Sequence, residues 1–176
     1  MRPIILDLCG GTGAWSKPYA DAGYDVRLVD LPQDVRLLKF EPALRPQGIL
    51  CAPPCTVFSY ARNRYEPTDA ELLQALSIVD ACFRIVEVYK PRWWALENPL
   101  NKLRRYIGPP KLSFRQWQYG DPADKPTCIW GSFVPPMFYV GKRLKPSTYK
   151  TNVPNAKPQD AITPRGFSRA FFQANP

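Results

Sequence analysis

Four short strand signals, three of them apolar runs and the second an alternating stretch, constrain the fold before any chemistry is considered. They span Pro3 to Leu8, Tyr24 to Leu31, Gly48 to Ala52 and Arg92 to Leu96. Each is flanked by glycine, proline or acidic residues, as buried strands are. Helix signals lie between them. Ala14 to Ala22 is a short helix candidate in which Pro18 is tolerable only in the first turn. Thr68 to Lys90 is the clearest helix: Thr68 and Glu71 have capping-box spacing, Leu72, Leu76, Val79, Phe83 and Val86 recur at helical intervals, and Pro91 ends it. Strand and helix alternating in this way predict an α/β fold with a mostly parallel sheet and helices on both faces. Such sheets bind ligands beyond the carboxyl ends of their strands.

The 176 residues suffice for one core. No apolar run approaches the roughly 18 residues of a membrane span. The opening MRPIILDLCGG has an acid and glycines where a signal peptide needs an apolar stretch, so the expectation is a cytoplasmic protein without membrane contact. Five cysteines, an odd number, and no histidine suit neither a disulfide framework nor a zinc site. A net charge of +9 favours a polyanionic partner. The excess is concentrated late in the chain: between Tyr139 and Pro176, Lys142, Arg143, Lys145, Lys150, Lys157, Arg165 and Arg169 face one acid, Asp160.

Beyond Gly108 the pattern weakens. Leu112 to Tyr119 is the only convincing later strand, Lys142 to Asp160 reads as a basic loop or tether, and Phe167 to Gln173 as a short closing helix. The expected organisation is a main domain over 1–130, a reduced basic segment over 131–161, and a segment over 162–176 that returns to the main domain.

Three motifs carry chemistry. In LDLCGGTGAWS a strand ends on Asp7 and is followed by Gly10, Gly11 and Gly13, letting a ligand approach the backbone before a helix begins. The third glycine of a dinucleotide fingerprint is absent. Asp30, at the end of the next strand, is placed to accept hydrogen bonds from ribose hydroxyls. The pair suggests an adenosine-containing cofactor without a pyrophosphate; the alternative is a tight turn with no ligand. In CAPPCTVFS, Pro53 and Pro54 fix the backbone and present Cys55 at a strand end; the alternative is an ordinary packed cysteine. In WWALENPLNKL, Glu97 follows an apolar strand, where burial raises a carboxyl pKa and suits it to proton donation. The alternative there is a helix start with Asn98 as N-cap before Pro99.

Taken together, the three motifs resemble those of the cytosine-5 methyltransferase family, in particular its small phage-type members. LDLCGGTGAWS is similar to the family's S-adenosylmethionine loop, APPCTVFS to its Pro-Cys nucleophile loop, and ENP to its cytosine-binding Glu-Asn pair. WQYGDPADKPTCIWG resembles a later phage-type segment and ITPRGFSRAFF, more weakly, the motif that folds back near the cofactor. The resemblance implies a Rossmann-like methyltransferase fold with S-adenosylmethionine held by Asp7, Cys9, Gly11, Gly13, Asp30, Asp34 and Pro53. It implies Cys55 as the nucleophile that adds to C6 of cytosine and Glu97 as the group that holds or protonates N3. Pro54, Ser59, Asn98, Gln118, Lys125 and Arg165 fall on the substrate side. The implied substrate is DNA, with the cytosine flipped out or single-stranded because a stacked base is unreachable.

The chain departs from that pattern in three places. Cys9 replaces a phenylalanine, Asp34 is the only obvious adenine-side acid, and the family's Gln-x-Arg-x-Arg segment is broken, with Lys125 the nearest cation after Gln118. Only Gly131 to Ala161 is available for reading a DNA sequence, too little for an independent domain. Minimal sequence specificity is therefore expected, or specificity borrowed from a protein partner. RNA cytosine methylation and a non-catalytic DNA-binding decoy are the competing readings. Amino methylation is disfavoured by Cys55 and by the ENP loop.

Overall fold

A computed structural model describes residues 2–58, 66–121, 124–139 and 162–176. Six strands form one sheet: β1 (Ile4–Leu8), β2 (Asp25–Val29), β3 (Pro46–Cys51), β4 (Trp93–Pro99), β5 (Leu112–Arg115) and β6 (Pro126–Ser132), in the order β2-β1-β3-β4-β6-β5. The helices are α1 (Lys17–Asp21), α2 (Asp69–Tyr89), α3 (Arg104–Ile107) and α4 (Arg165–Ala174). No helix among the described residues is long and apolar enough to cross a membrane.

β1 to β4 pair in parallel, as the alternation of strand and helix signals predicts. The expectation of a mostly parallel sheet is nevertheless corrected: the sheet is mixed, because β6 runs antiparallel to both β4 and β5. The cause is local. β5 and β6 are joined by a ten-residue turn (116–125) that reverses the chain, whereas a parallel pair needs a crossover of a dozen or more residues. A 3₁₀ turn at Gln116–Tyr119 and an ion pair between Arg115 and Asp124 (2.8 Å) fasten that turn.

Side-chain alternation along the strands sorts the core onto the two faces of the sheet. Leu6, Leu8, Ile49, Cys51, Leu96, Cys128 and Trp130 belong to the cluster under α2, with Val79, Cys82 and Ile85 from the helix. Ile5, Leu50, Trp93, Ala95 and Ile129 belong to the cluster formed with Trp15, Tyr19, Phe167 and Phe171, on the side of α1 and α4. Both faces are thus covered by helices. In α2 the capping box is present in full, with Thr68 Oγ1 accepting from the Glu71 amide and Glu71 accepting from the Thr68 amide at 2.9 Å.

Several expected boundaries shift, among them β3, found at Pro46–Cys51, and the closing helix, found at Arg165–Ala174. α1 is shorter than predicted because turns occupy the residues before Lys17, and β2 is confined to Asp25–Val29. The strand predicted to stop at Leu96 continues through Glu97-Asn98-Pro99, since β6 gives it a pairing partner there. The stretch predicted as a strand to Tyr119 becomes 3₁₀ after Arg115. The basic loop predicted over Lys142 to Asp160 lies outside the described residues, as does Ser59.

Candidate active site

A topological switch point is built into this sheet. From β1 the chain moves to β2 on one side and then to β3 on the other, so the loops leaving β1 and β3 diverge and open a crevice at the carboxyl ends of those strands. The glycine loop leaves β1 there and Pro53-Pro54-Cys55 leaves β3 beside it. Glu97 and Asn98 stand in the last three residues of β4. Because β6 is reversed, its first residues reach the same edge, with Asn98 opposite Cys128 and Pro99 opposite Thr127. Lys125 immediately precedes them. Concavities of about 650 and 460 Å³ lie at the opposite, amino-terminal edge and are lined by neither Cys55 nor Glu97. Strand polarity, not cavity size, identifies the chemical edge.

The glycine loop is shaped by its own backbone. Gly11 (φ +55°) and Gly13 (φ +70°) are left-handed, and Cys9 adopts φ +57° without being glycine, a conformation uncommon for a side-chain-bearing residue. Gly10 is required for space, since a Cβ there would collide with the Asp7 carboxyl and with Leu28. Asp30 ties the loop to β2: one carboxylate oxygen accepts from the Gly11 amide and the other from the Leu31 amide at 2.7 Å. A carboxylate has about four lone-pair sites, so further acceptance by Asp30 remains open. Cys9 is engaged elsewhere. Its amide donates to the Val29 carbonyl (2.7 Å), and the Cys82 thiol of α2 beside its own, together with burial, pushes it far up. Asp34 caps a 3₁₀ turn at Val35–Leu37 and pairs with Arg36 at 2.6 Å, which holds its carboxyl below the ordinary range.

Asp7 is fully buried. Ser16 Oγ donates to its Oδ2, while Oδ1 has no partner, and burial raises its pKa to about 6. Trp15 Nε1, Trp117 Nε1 and Thr127 Oγ1 are likewise buried and unpartnered. More than nine in ten buried polar groups in folded proteins are satisfied. These four exceptions lie at the end of β1, in the loop after it, in the turn after β5 and at the start of β6, all toward the carboxyl edge.

The thiol and carboxylate loops are stitched together. Asn98, 0% exposed, donates through Nδ2 to the Pro53 carbonyl at 3.0 Å. Asn101 Nδ2 donates to Asn98 Oδ1 and Asn101 Oδ1 accepts from the Leu103 amide at 2.9 Å. The Lys102 amide donates to the Phe58 carbonyl (3.0 Å), and the Phe58 amide closes a turn on the Cys55 carbonyl (3.1 Å). Asn98 is therefore not a helix cap; it fixes the position of one loop relative to the other. Pro53 is buried and Pro54 exposed.

Cys55, Glu97 and Lys125 come within electrostatic reach of one another. Burial pushes the Cys55 thiol up, Lys125 pulls it down and Glu97 raises it again. Burial pushes the Glu97 carboxyl up, and Lys125 lowers it. Two acidic groups thus share one cation in a poorly solvated place, so a single negative charge on the pair is favoured over two. Gln118 and Arg165 are not drawn into this group. The Gln118 side-chain oxygen accepts from the Arg115 amide at 2.6 Å, and Arg165 is exposed at the start of α4. Sequence reasoning missed Thr127 and the orphaned indoles; the signal for Thr127 is the reversed strand that carries it.

No protein-family model matches this chain, and no curated protein sequence matches it.

Proposed function

We propose that the chain is an S-adenosylmethionine-dependent cytosine-5 methyltransferase acting on DNA, through a covalent Cys55 adduct and with minimal sequence specificity. The observation that carries this reading is the meeting, at one sheet edge, of the thiol of Cys55, the half-buried carboxyl of Glu97 and the glycine loop after β1. The fold agrees with a Rossmann-like methyltransferase in its switch point and its helix-covered parallel strands.

The residues after β1 fit the cofactor. The Asp7 Oδ1 atom is unpartnered, Asp30 retains acceptor sites, and a Cβ at Gly11 or Gly13 would meet only one side-chain oxygen, more than 3.5 Å away (3.7 and 3.6 Å). When bound, the cofactor supplies an electrophilic methyl group on sulfur for C5 of the cytosine.

No histidine is needed to prepare the thiol. Transfer of the Cys55 proton to Glu97 keeps one negative charge on the pair and leaves it on sulfur, where Lys125 stabilises it. The thiolate adds to C6 of the cytosine and Glu97 delivers its proton to N3, so the C5–C6 double bond is lost, a C4–C5 double bond forms, and C5 is the nucleophilic carbon of the resulting enamine. After methylation the C5 proton leaves to water. Glu97 recovers the N3 proton, the C6–S bond breaks, and the ring is aromatic again.

The test is incubation with S-adenosylmethionine and an oligonucleotide containing 5-fluorocytosine, whose C5 fluorine cannot leave as a proton. A denaturant-stable adduct of protein and DNA is expected, absent in Cys55→Ala and at least a hundredfold slower to form in Glu97→Gln. An adduct on RNA alone would replace DNA with RNA as the substrate. Neither adduct nor methyl transfer on either polymer, with S-adenosylmethionine shown to bind, would leave a DNA-binding decoy.

A further inference from the structure

We infer that the Thr127 hydroxyl contacts the substrate base, donating a hydrogen bond to the ring carbonyl of the pyrimidine that Glu97 holds. The inference rests on the methyltransferase reading and assigns that site a second base-recognising residue.

Three observations lead to it. Thr127 is 2% exposed and its hydroxyl has no hydrogen-bond partner, a state that folded proteins rarely leave uncompensated. It shares a sheet face with Glu97: Ala95 and Ile129 belong to the cluster on the α4 side while Leu96, Cys128 and Trp130 belong to the other, so by alternation Glu97 and Thr127 both project toward α4. The register pairs Glu97 with Ile129 and Pro99 with Thr127, making Glu97 and Thr127 diagonal neighbours, about 7 Å apart on adjacent strands. That separation accommodates the polar edge of one pyrimidine ring.

The chemistry of the ring assigns the atoms. A carboxyl group facing N3 also meets the adjacent exocyclic amine, one oxygen to each. This leaves the C2 carbonyl, on the far side of N3, without a partner. It is an acceptor only, and electron density on the N3–C2–O2 unit rises when the thiolate adds at C6. A hydroxyl is the smallest side-chain group able to donate to it. Near Glu97 and Lys125 the Thr127 hydroxyl is the orphan on the correct strand, and it adds no charge to a site whose single negative charge is already balanced.

The test compares wild type with Thr127→Val, which keeps the shape and removes the hydroxyl, and with Thr127→Ser, which keeps the hydroxyl. Thr127→Val is expected to form the 5-fluorocytosine adduct roughly tenfold or more slowly, with a thermal midpoint no lower than wild type because a buried orphan has been removed; Thr127→Ser is expected to stay within a few-fold. Wild type is expected to transfer tritiated methyl to cytosine about tenfold faster than to 2-thiocytosine, whose sulfur is a poor acceptor, and Thr127→Val to lose that preference. A wild-type adduct with no change in Thr127→Val, or a fall in midpoint that Thr127→Ser restores, would overturn the inference and leave the methyltransferase reading standing. Failure of wild type itself to form an adduct on DNA or RNA would overturn both.

Discussion

At the scale of single residues, Asp7 is the most consequential ionisable group. It is completely buried at the carboxyl end of β1, one oxygen is satisfied by Ser16, and the other faces no donor. Desolvation outweighs the Ser16 bond, and nearby Asp30 adds to it, so the pKa rises from 3.8 to about 6. The folded protein therefore holds this proton more tightly than the unfolded chain does. The stabilisation is fully present below about pH 4 and is lost as pH rises through about 6, a change of at most about 3 kcal/mol at one pKa unit per about 1.4 kcal/mol. Asp7→Asn cannot ionise and is expected to lack this slope. Urea unfolding of both proteins between pH 4 and 8 measures it: the advantage of the variant over wild type should grow across pH 4–6 and level off above. A wild-type curve parallel to that of Asp7→Asn would mean that the carboxyl is not desolvated. A cation seated against Oδ1 lowers the pKa again, so a saturating cofactor bearing an ammonium group should flatten the wild-type curve.

At the scale of elements, the candidate site depends on two loops held in register by one amide. Asn98 lies in β4, yet its side chain reaches the Pro53 carbonyl of the neighbouring loop and is itself held by Asn101. Asn98→Ala leaves that carbonyl and the Asn101 amide buried without partners, and is expected to cost about 2–3 kcal/mol of stability by urea unfolding. A loss below about 0.5 kcal/mol would show that solvent reaches both groups. The elements also show what a sequence can and cannot disclose. β1, β3 and α2 were legible because apolar runs and a capping box are local signals. The edge that gathers the three chemical motifs was legible too, since motifs at the ends of parallel strands must share an edge. β6 was not. Its burial runs unbroken from Thr127 to Trp130, so it has no polar alternation, and Pro126 and Gly131 look like loop punctuation. Missing β6 concealed three things: the mixed sheet, the extension of β4 through Glu97, and the arrival of Thr127 beside it. The Asn98 role was hidden for a different reason, as Asn followed by Pro is locally indistinguishable from a helix start.

At the scale of the whole molecule, the two faces of the sheet have different tasks. The α2 face is an apolar layer. The opposite face joins the glycine loop to α4 through aromatic contacts, with Trp15 against Phe167 and Phe171 at ring-centroid distances of 5.9 and 5.4 Å, so the segment at 162–176 buttresses the loop proposed to hold the cofactor. What remains is the net charge of +9 and the cluster of cations late in the chain. If phosphate contacts supply the affinity for DNA, binding must release counterions and weaken linearly on a log–log plot against salt, by about 0.9 per neutralised phosphate. With four or five such contacts the slope is about −4, and a fourfold rise in salt from 50 to 200 mM lowers affinity by roughly two orders of magnitude. Fluorescence anisotropy on labelled duplexes of unrelated sequence measures it. Replacing Lys142, Arg143 and Lys145 together by Gln is expected to reduce the slope by about 3, close to one per cation, and to weaken every duplex equally. Equal weakening is the decisive feature, because a residue that reads bases would penalise one sequence more than another. A salt-independent affinity, or a loss confined to one duplex, would mean that the basic segment recognises something other than the phosphate backbone.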